Sequence, residues 1–222
     1  MKIICSGISK IFDTDSDYIN SIIIENPNLL RELCEDVYNQ IQGVDGKTVV
    51  SIDDKPVDIS KNVEILTQFV PFELNKKSLL NKLVAKIDNL AKDPEYYEYT
   101  ISELANLENY LWKLTENVGG NVVFPKLTIN SIVKAVGIEF DDDYKSLGEK
   151  IIDYMDLVRE YDKDKLFMIV NLRSFISDEE CSKMYDTMLR KRFHIIMIDN
   201  CEKTLCFNEK RVIVDSDCCE IG

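Results

Sequence analysis

Gly43-Val44-Asp45-Gly46-Lys47-Thr48 carries the Gly-Lys-Thr that closes a phosphate-binding loop. A Walker-type loop needs two glycines separated by four residues before the Lys and Thr. It sits on a turn from strand into helix, so that backbone amides and the helix N-terminus surround the phosphates. Here Ile41 stands where the first glycine belongs, a helical pattern precedes the tripeptide and a strand pattern follows it. Asp45-Gly46 therefore reads as a tight turn, and Lys47 as a surface residue. The single histidine, His194, opens an apolar run, and neither Gly-x-Ser-x-Gly nor His-Glu-x-x-His occurs. With no assembled nucleophile or zinc site, the chain reads as a non-enzyme. Seven cysteines without a Cys-x-x-Cys read as reduced, mostly buried thiols.

Two acidic clusters bear on metal binding. Asp13, Asp15 and Asp17 begin like a calcium loop, but Tyr18 stands where such a loop needs glycine and Ile24 where it needs the bidentate Glu. Asp141, Asp142 and Asp143 precede a helical pattern, where acids suit the positive helix end. The formal net charge of -13 opposes generic nucleic-acid binding, because affinity for a polyanion comes mainly from Lys and Arg displacing counterions. One window reverses the trend: Leu74 to Lys92 holds Lys76, Lys77, Lys82, Lys86 and Lys92 against the single Asp88. At helical spacing Lys82 and Lys86 fall one turn apart on a flank of the apolar stripe, which suits phosphate contact as well as a solvated face.

The elements that position these residues follow from periodicity. Lys2–Cys5, Ser21–Glu25 and Thr48–Ile52 are rich in β-branched residues and read as strands, with a helix from Asn28 to Gln42 behind Pro27. From Ser78 to about Asp162 the pattern is helical. A hairpin of two long helices comes first, the second opening at Asp93-Pro94; a short helix over Thr128–Val136 and a longer one over Tyr144–Tyr161 follow. The strand signal then returns at Lys165–Leu172, His194–Asp199 and Arg211–Asp215, with a helix after the capping box Ser177/Glu180. Strand-helix-strand order implies an α/β fold with a mixed or parallel sheet. The expected architecture is a discontinuous α/β head, residues 1–74 and 164–222, into which an all-helical leg, residues 75–163, is inserted. No apolar run approaches a membrane span and the start meets acid too soon for a secretory signal, so the expected compartment is the cytoplasm.

Five stretches, "IIIENPNLLRELCEDVYNQ", "LNKKSLLNKLVAKIDNLAKDPEYYE", "LTINSIVKAVGIEF", "LFMIVNLRSFISDEE" and "HIIMID", occur in the order and spacing of one family. The chain resembles the Csn-type adaptation protein of type II-A CRISPR systems, in collinear hydrophobic positions rather than one sharp motif. The resemblance implies a head related to phosphate-loop ATPases without their active loop, and a homotetrameric ring around double-stranded DNA. It implies binding of DNA ends without sequence preference in spacer acquisition, a part of antiviral defence, beside other adaptation proteins and the RNA-guided nuclease. On this reading the first leg helix, with Lys76, Lys77, Lys82, Lys86 and Lys92, faces DNA, since a ring can keep a basic lining and an acidic exterior. The resemblance also implies calcium held by acids before the third leg helix. There this chain has Asn121, Val123, Pro125 and Lys126, so an ion would draw on Glu116, on Asp141, Asp142 and Asp143, or on another protomer. The alternative expectation is an acidic protein-interaction scaffold of the adaptation complex, with weak or no direct DNA binding.

Overall fold

Ten short strands and seven α-helices alternate along residues 1–221, which a computed structural model of the chain describes. In chain order they are β1 (Lys2–Ile4), β2 (Ile11–Asp13), β3 (Ile19–Ile24), α1 (Pro27–Ile41), β4 (Val49–Ile52), β5 (Lys55–Pro56), α2 (Ile59–Asn62) and β6 (Val63–Leu66). Then come α3 (Lys77–Leu90), α4 (Pro94–Thr115), α5 (Ile129–Val136), α6 (Leu147–Tyr161), β7 (Leu166–Val170), α7 (Asp178–Arg190), β8 (His194–Asp199), β9 (Glu209–Val214) and β10 (Glu220–Ile221). The chain divides into two units: Met1–Glu73 together with the chain from Asp143 on, and Leu74–Asp142.

The first unit is built on a six-stranded sheet of order β10-β9-β3-β8-β7-β6, parallel except for the edge pair β9/β10. Every residue of β3 and of β7 is buried, as expected for parallel strands covered on both faces. Ile22, Ile196, Ile198, Met168 and Val212 pack with Leu33 and Val37 of α1 on one face; each such side chain, wholly removed from water, contributes about 1.5–3 kcal/mol. The strands expected at Lys2–Cys5 and Thr48–Ile52 are not part of this sheet. As β1 and β4 they join β2 and β5 in a separate antiparallel sheet of order β2-β1-β4-β5, in which short loops link β1 to β2 and β4 to β5.

The helix expected to end the leg, α6, lies in the first unit, so the division falls at 142 rather than 163. Packing explains it: Ile151, Ile152, Tyr154, Met155 and Val158 are all buried, and Tyr154 Oη donates to Glu64 Oε1 on β6. The capping box at α7 is half formed. Ser177 Oγ accepts from Glu180 N, whereas the Glu180 carboxylate accepts from Gly148 N in the first turn of α6 at 2.8 Å, tying the two helices together.

The link from β8 to β9 is unusual. Parallel strands ordinarily need a dozen or more residues, mostly helical, to return to the sheet's starting end. Here residues 200–208 alone, without a helix, run back from Asp199 and place β9 beyond β3.

In the second unit α3 packs chiefly on α5 rather than forming the expected hairpin with α4. Thr128 and Ser131 make a reciprocal capping box at the start of α5, and Gly137, at φ 70°, ends it in the left-handed conformation. Asn75 closes the unit by donating to Phe140 O and accepting from Phe140 N at 3.0 and 2.9 Å. None of the residues of α4 is buried: its Tyr97, Ile101, Leu104, Leu111 and Leu114 form a stripe whose members are exposed or half-buried.

Candidate nucleic-acid interface

The five lysines of the window sit on or beside α3. Lys76 is its N-cap, without a side-chain capping bond; Lys77, Lys82 and Lys86 are on the helix, and Lys92 lies just past its end. Leu79 and Val84 fix the helix's inward face, which leaves Lys77 and Lys86 exposed and Lys82 half-buried. Lys92 Nζ is bonded to Asp88 Oδ2 at 2.5 Å, an i,i+4 pair that neutralises the helix's one acid. An α-helical turn rises about 5.4 Å, so Lys82 and Lys86 present charge at the spacing of neighbouring groups on one helix face.

The Gly-Lys-Thr segment is a turn. Asp36 Oδ1 and Oδ2 accept from Lys47 N and Thr48 N, both at 2.8 Å, which anchors the stretch between α1 and β4. Burial pushes the Asp36 carboxyl up, but the bonds from Thr48, Lys47 and Gln40 outweigh it and hold the group below its ordinary value. At the β3–α1 junction, where a nucleotide-binding sheet would place its loop, stand Glu25, Asn26 and Pro27, and Asn26 Oδ1 caps α1. Of the early acids, Asp15 pairs with the Met1 amine and lies 3.4 Å from His194 Nδ1. A cleft of about 730 Å³ nearby is lined by Asp15, Asp17, Asp186, Arg190 and Arg192. Its lining precedes β3, β8 and β9, the opposite end of the sheet from the carboxyl ends where α/β proteins hold ligands.

A buried ionic cluster escaped the sequence reading. Arg173, its side chain 1% exposed, donates to Glu209 Oε2 at 3.3 Å, Asp178 Oδ1 at 3.0 Å and Thr204 O at 2.6 Å. Arg211 donates to Glu209 Oε1 and to Lys203 O, and Cys206 N donates to Glu209 Oε2. Together these bonds hold the 200–208 crossover. Asp199, at the carboxyl end of β8, is buried and neither of its oxygens has a hydrogen-bond partner among the described residues. Burial, only partly offset by Arg173, pushes its carboxyl up to about 6.

The family model of the CRISPR-associated protein (Cas_Csn2) matches residues 40–218. The chain belongs to this family. The match takes in α3 with its lysines, the buried cluster and the six-stranded sheet apart from β3 and β10. Cas_Csn2 membership places the chain among CRISPR components and implies that it works with others of them. No curated protein matches it. No helix among the described residues is long and apolar enough to cross a membrane.

The calcium expected of a Csn-type protein finds no fitting ligand set here. Among the described residues no three His, Cys, Asp or Glu side chains converge where an ion could sit. Glu116 caps α4 at its C-terminal end, and Asp141, Asp142 and Asp143 lie exposed in the segment before α6. Glu108 Oε1, the carboxylate that faces the 119–127 stretch, is engaged by Leu127 N at 2.8 Å, and Trp112 stacks on Phe124 with centroids 4.5 Å apart.

Proposed function

We propose that this Cas_Csn2 protein binds double-stranded DNA ends without sequence preference and supports CRISPR spacer acquisition in the cytoplasm as a non-catalytic homotetrameric ring. The observation that carries the reading is the lysine face of α3, with Lys77, Lys82 and Lys86 displayed where the inward face is fixed by Leu79 and Val84. Such a face grips phosphate through charge alone, which gives affinity without reading bases. The apolar stripe of α4 supports self-assembly: a 22-residue helix with none of its residues buried has a face suited to a second copy of the chain. Around the ring, the other adaptation proteins and the RNA-guided nuclease are the partners.

The test compares linear and covalently closed duplexes of equal length as salt is raised. Threading requires ends and phosphate contact requires screening, so the linear duplex binds more tightly and both lose affinity with salt. Equal binding of the two forms, or binding indifferent to salt, overturns the ring reading. A second reading, an acidic scaffold of the adaptation complex with little direct DNA contact, is favoured by the net charge of -13. Co-purification with the nuclease complex without any shift of DNA selects it.

A further inference from the structure

We propose that Cys181 and Cys206 form a reversible disulfide that fastens the 200–208 crossover to α7, making this strap responsive to oxidants. The two thiols are 1% and 6% exposed, and their sulfurs lie 3.9 Å apart. Cys181 is in the first turns of α7 and Cys206 is in the crossover, so the bond joins two elements rather than stiffening one. Cys206 is also the only buried residue of the strap: Asn200, Cys201, Glu202, Thr204, Leu205 and Phe207 are exposed, Phe207 fully, and Lys203 and Asn208 are half-buried. The rest of the strap is held by hydrogen bonds, from Arg173 to Thr204 O and from Arg211 to Lys203 O. A strap with a single buried side chain, held otherwise by hydrogen bonds, opens locally, and opening is what brings an oxidant to that sulfur.

The chemistry balances with a peroxide as oxidant. The Cys206 thiolate attacks hydrogen peroxide, giving a sulfenic acid and releasing water. The Cys181 thiolate then attacks the sulfenic sulfur, the S–S bond forms and a second water leaves, so two thiols and one peroxide yield one disulfide and two waters. A low-molecular-weight thiol reverses it by exchange. Burial, and then Cys206 itself, push the Cys181 thiol up to about 12, so the closed strap resists oxidation and reaction waits on opening. In a reducing compartment such a bond is transient and signals oxidative load rather than stabilising the fold permanently.

The full chain carrying Cys201→Ser, Cys218→Ser and Cys219→Ser, which removes the exposed thiols, is treated with hydrogen peroxide. The expected product has lost two hydrogens, yields one peptide pair containing Cys181 and Cys206, and reverts with dithiothreitol. Tryptic cleavage after Lys203, which reports strap opening, slows by roughly tenfold on oxidation. The same chain with Cys206→Ser, or with Cys181→Ala should that variant fold better, shows no such slowing. Recovery of both sulfurs as free thiols or as sulfinic acids overturns the proposal. So does a cross-linked product cleaved after Lys203 as fast as the reduced one, or equal slowing in the Cys206→Ser chain.

Discussion

Replacing Asp199 by Asn stabilises the protein at neutral pH, and does so more as pH rises. The carboxyl is raised in the fold to about 6, against about 3.9 in an unfolded chain. Between those values the folded protein holds a proton that the unfolded chain has lost, so this group's contribution to stability falls as pH rises. A shift of roughly two units makes the ionised carboxylate cost about 3 kcal/mol at pH 7.5 and roughly 1.5 kcal/mol at pH 5. Asn keeps the shape and removes the titration. The difference in unfolding free energy between Asp199→Asn and the natural chain therefore grows by about 1.4 kcal/mol from pH 5 to pH 7.5. Urea denaturation at the two pH values measures it, both lying above the isoelectric point near 4.6 where the chain would precipitate. The amide's own hydrogen-bonding needs shift the baseline equally at both pH values, so only titration gives the slope. A difference constant with pH, or one that shrinks toward pH 7.5, refutes the claim that Asp199 is an unpaired buried carboxylate.

Changing Lys77, Lys82 and Lys86 together to Glu weakens duplex binding by at least ~100-fold and lowers the salt slope by roughly one per lost phosphate contact, read by fluorescence anisotropy. Circular dichroism unchanged in the same protein shows that the helix survives. Leu104→Asp on the stripe of α4 turns the assembled particle into single chains in sedimentation without loss of helix, whereas an unaltered particle mass removes α4 from the interface. Arg173→Met leaves Glu209 with one fewer partner in a buried site and costs about 3–5 kcal/mol in chemical denaturation. It also frees the 200–208 strap to proteolysis, since Thr204 O loses its donor.

What was legible in the sequence follows from what leaves a local trace. The buried strands β7 and β8 show as apolar runs and β3 as a β-branched one, and α5 shows its Thr128 cap and Gly137 stop, because caps and stripes are short-range demands of the backbone. Sheet membership leaves no such trace: β1 and β4 are as β-branched as β3 yet pair elsewhere, a choice made by loop length and crossover geometry. The division of the chain was misplaced by one helix for the same reason. α6 has a helical pattern like its predecessors, and only the partners of Tyr154 and Gly148, on β6 and α7, show which unit it serves. The Arg173–Glu209–Arg211 cluster was invisible because Arg173 is far in sequence from the Glu209/Arg211 pair and each alone looks like a surface charge.

The lysine face invites one objection, that a chain with a net charge of -13 should repel DNA. At physiological salt the Debye length is about 8 Å, so exposed acids farther than that from a bound phosphate barely weaken its attraction to a lysine. Along α3 itself the only acid is Asp88, whose carboxylate is bonded to Lys92 Nζ. The acidic remainder then acts on a different quantity: it slows encounter at low salt, where its repulsion reaches farther, without removing the contacts made on docking. Association of a short linear duplex therefore speeds up on going from very low to moderate salt before screening of the lysine contacts weakens the complex. A rate that falls with salt from the start would mean that the acids do not oppose approach and that the DNA meets a surface more basic than α3.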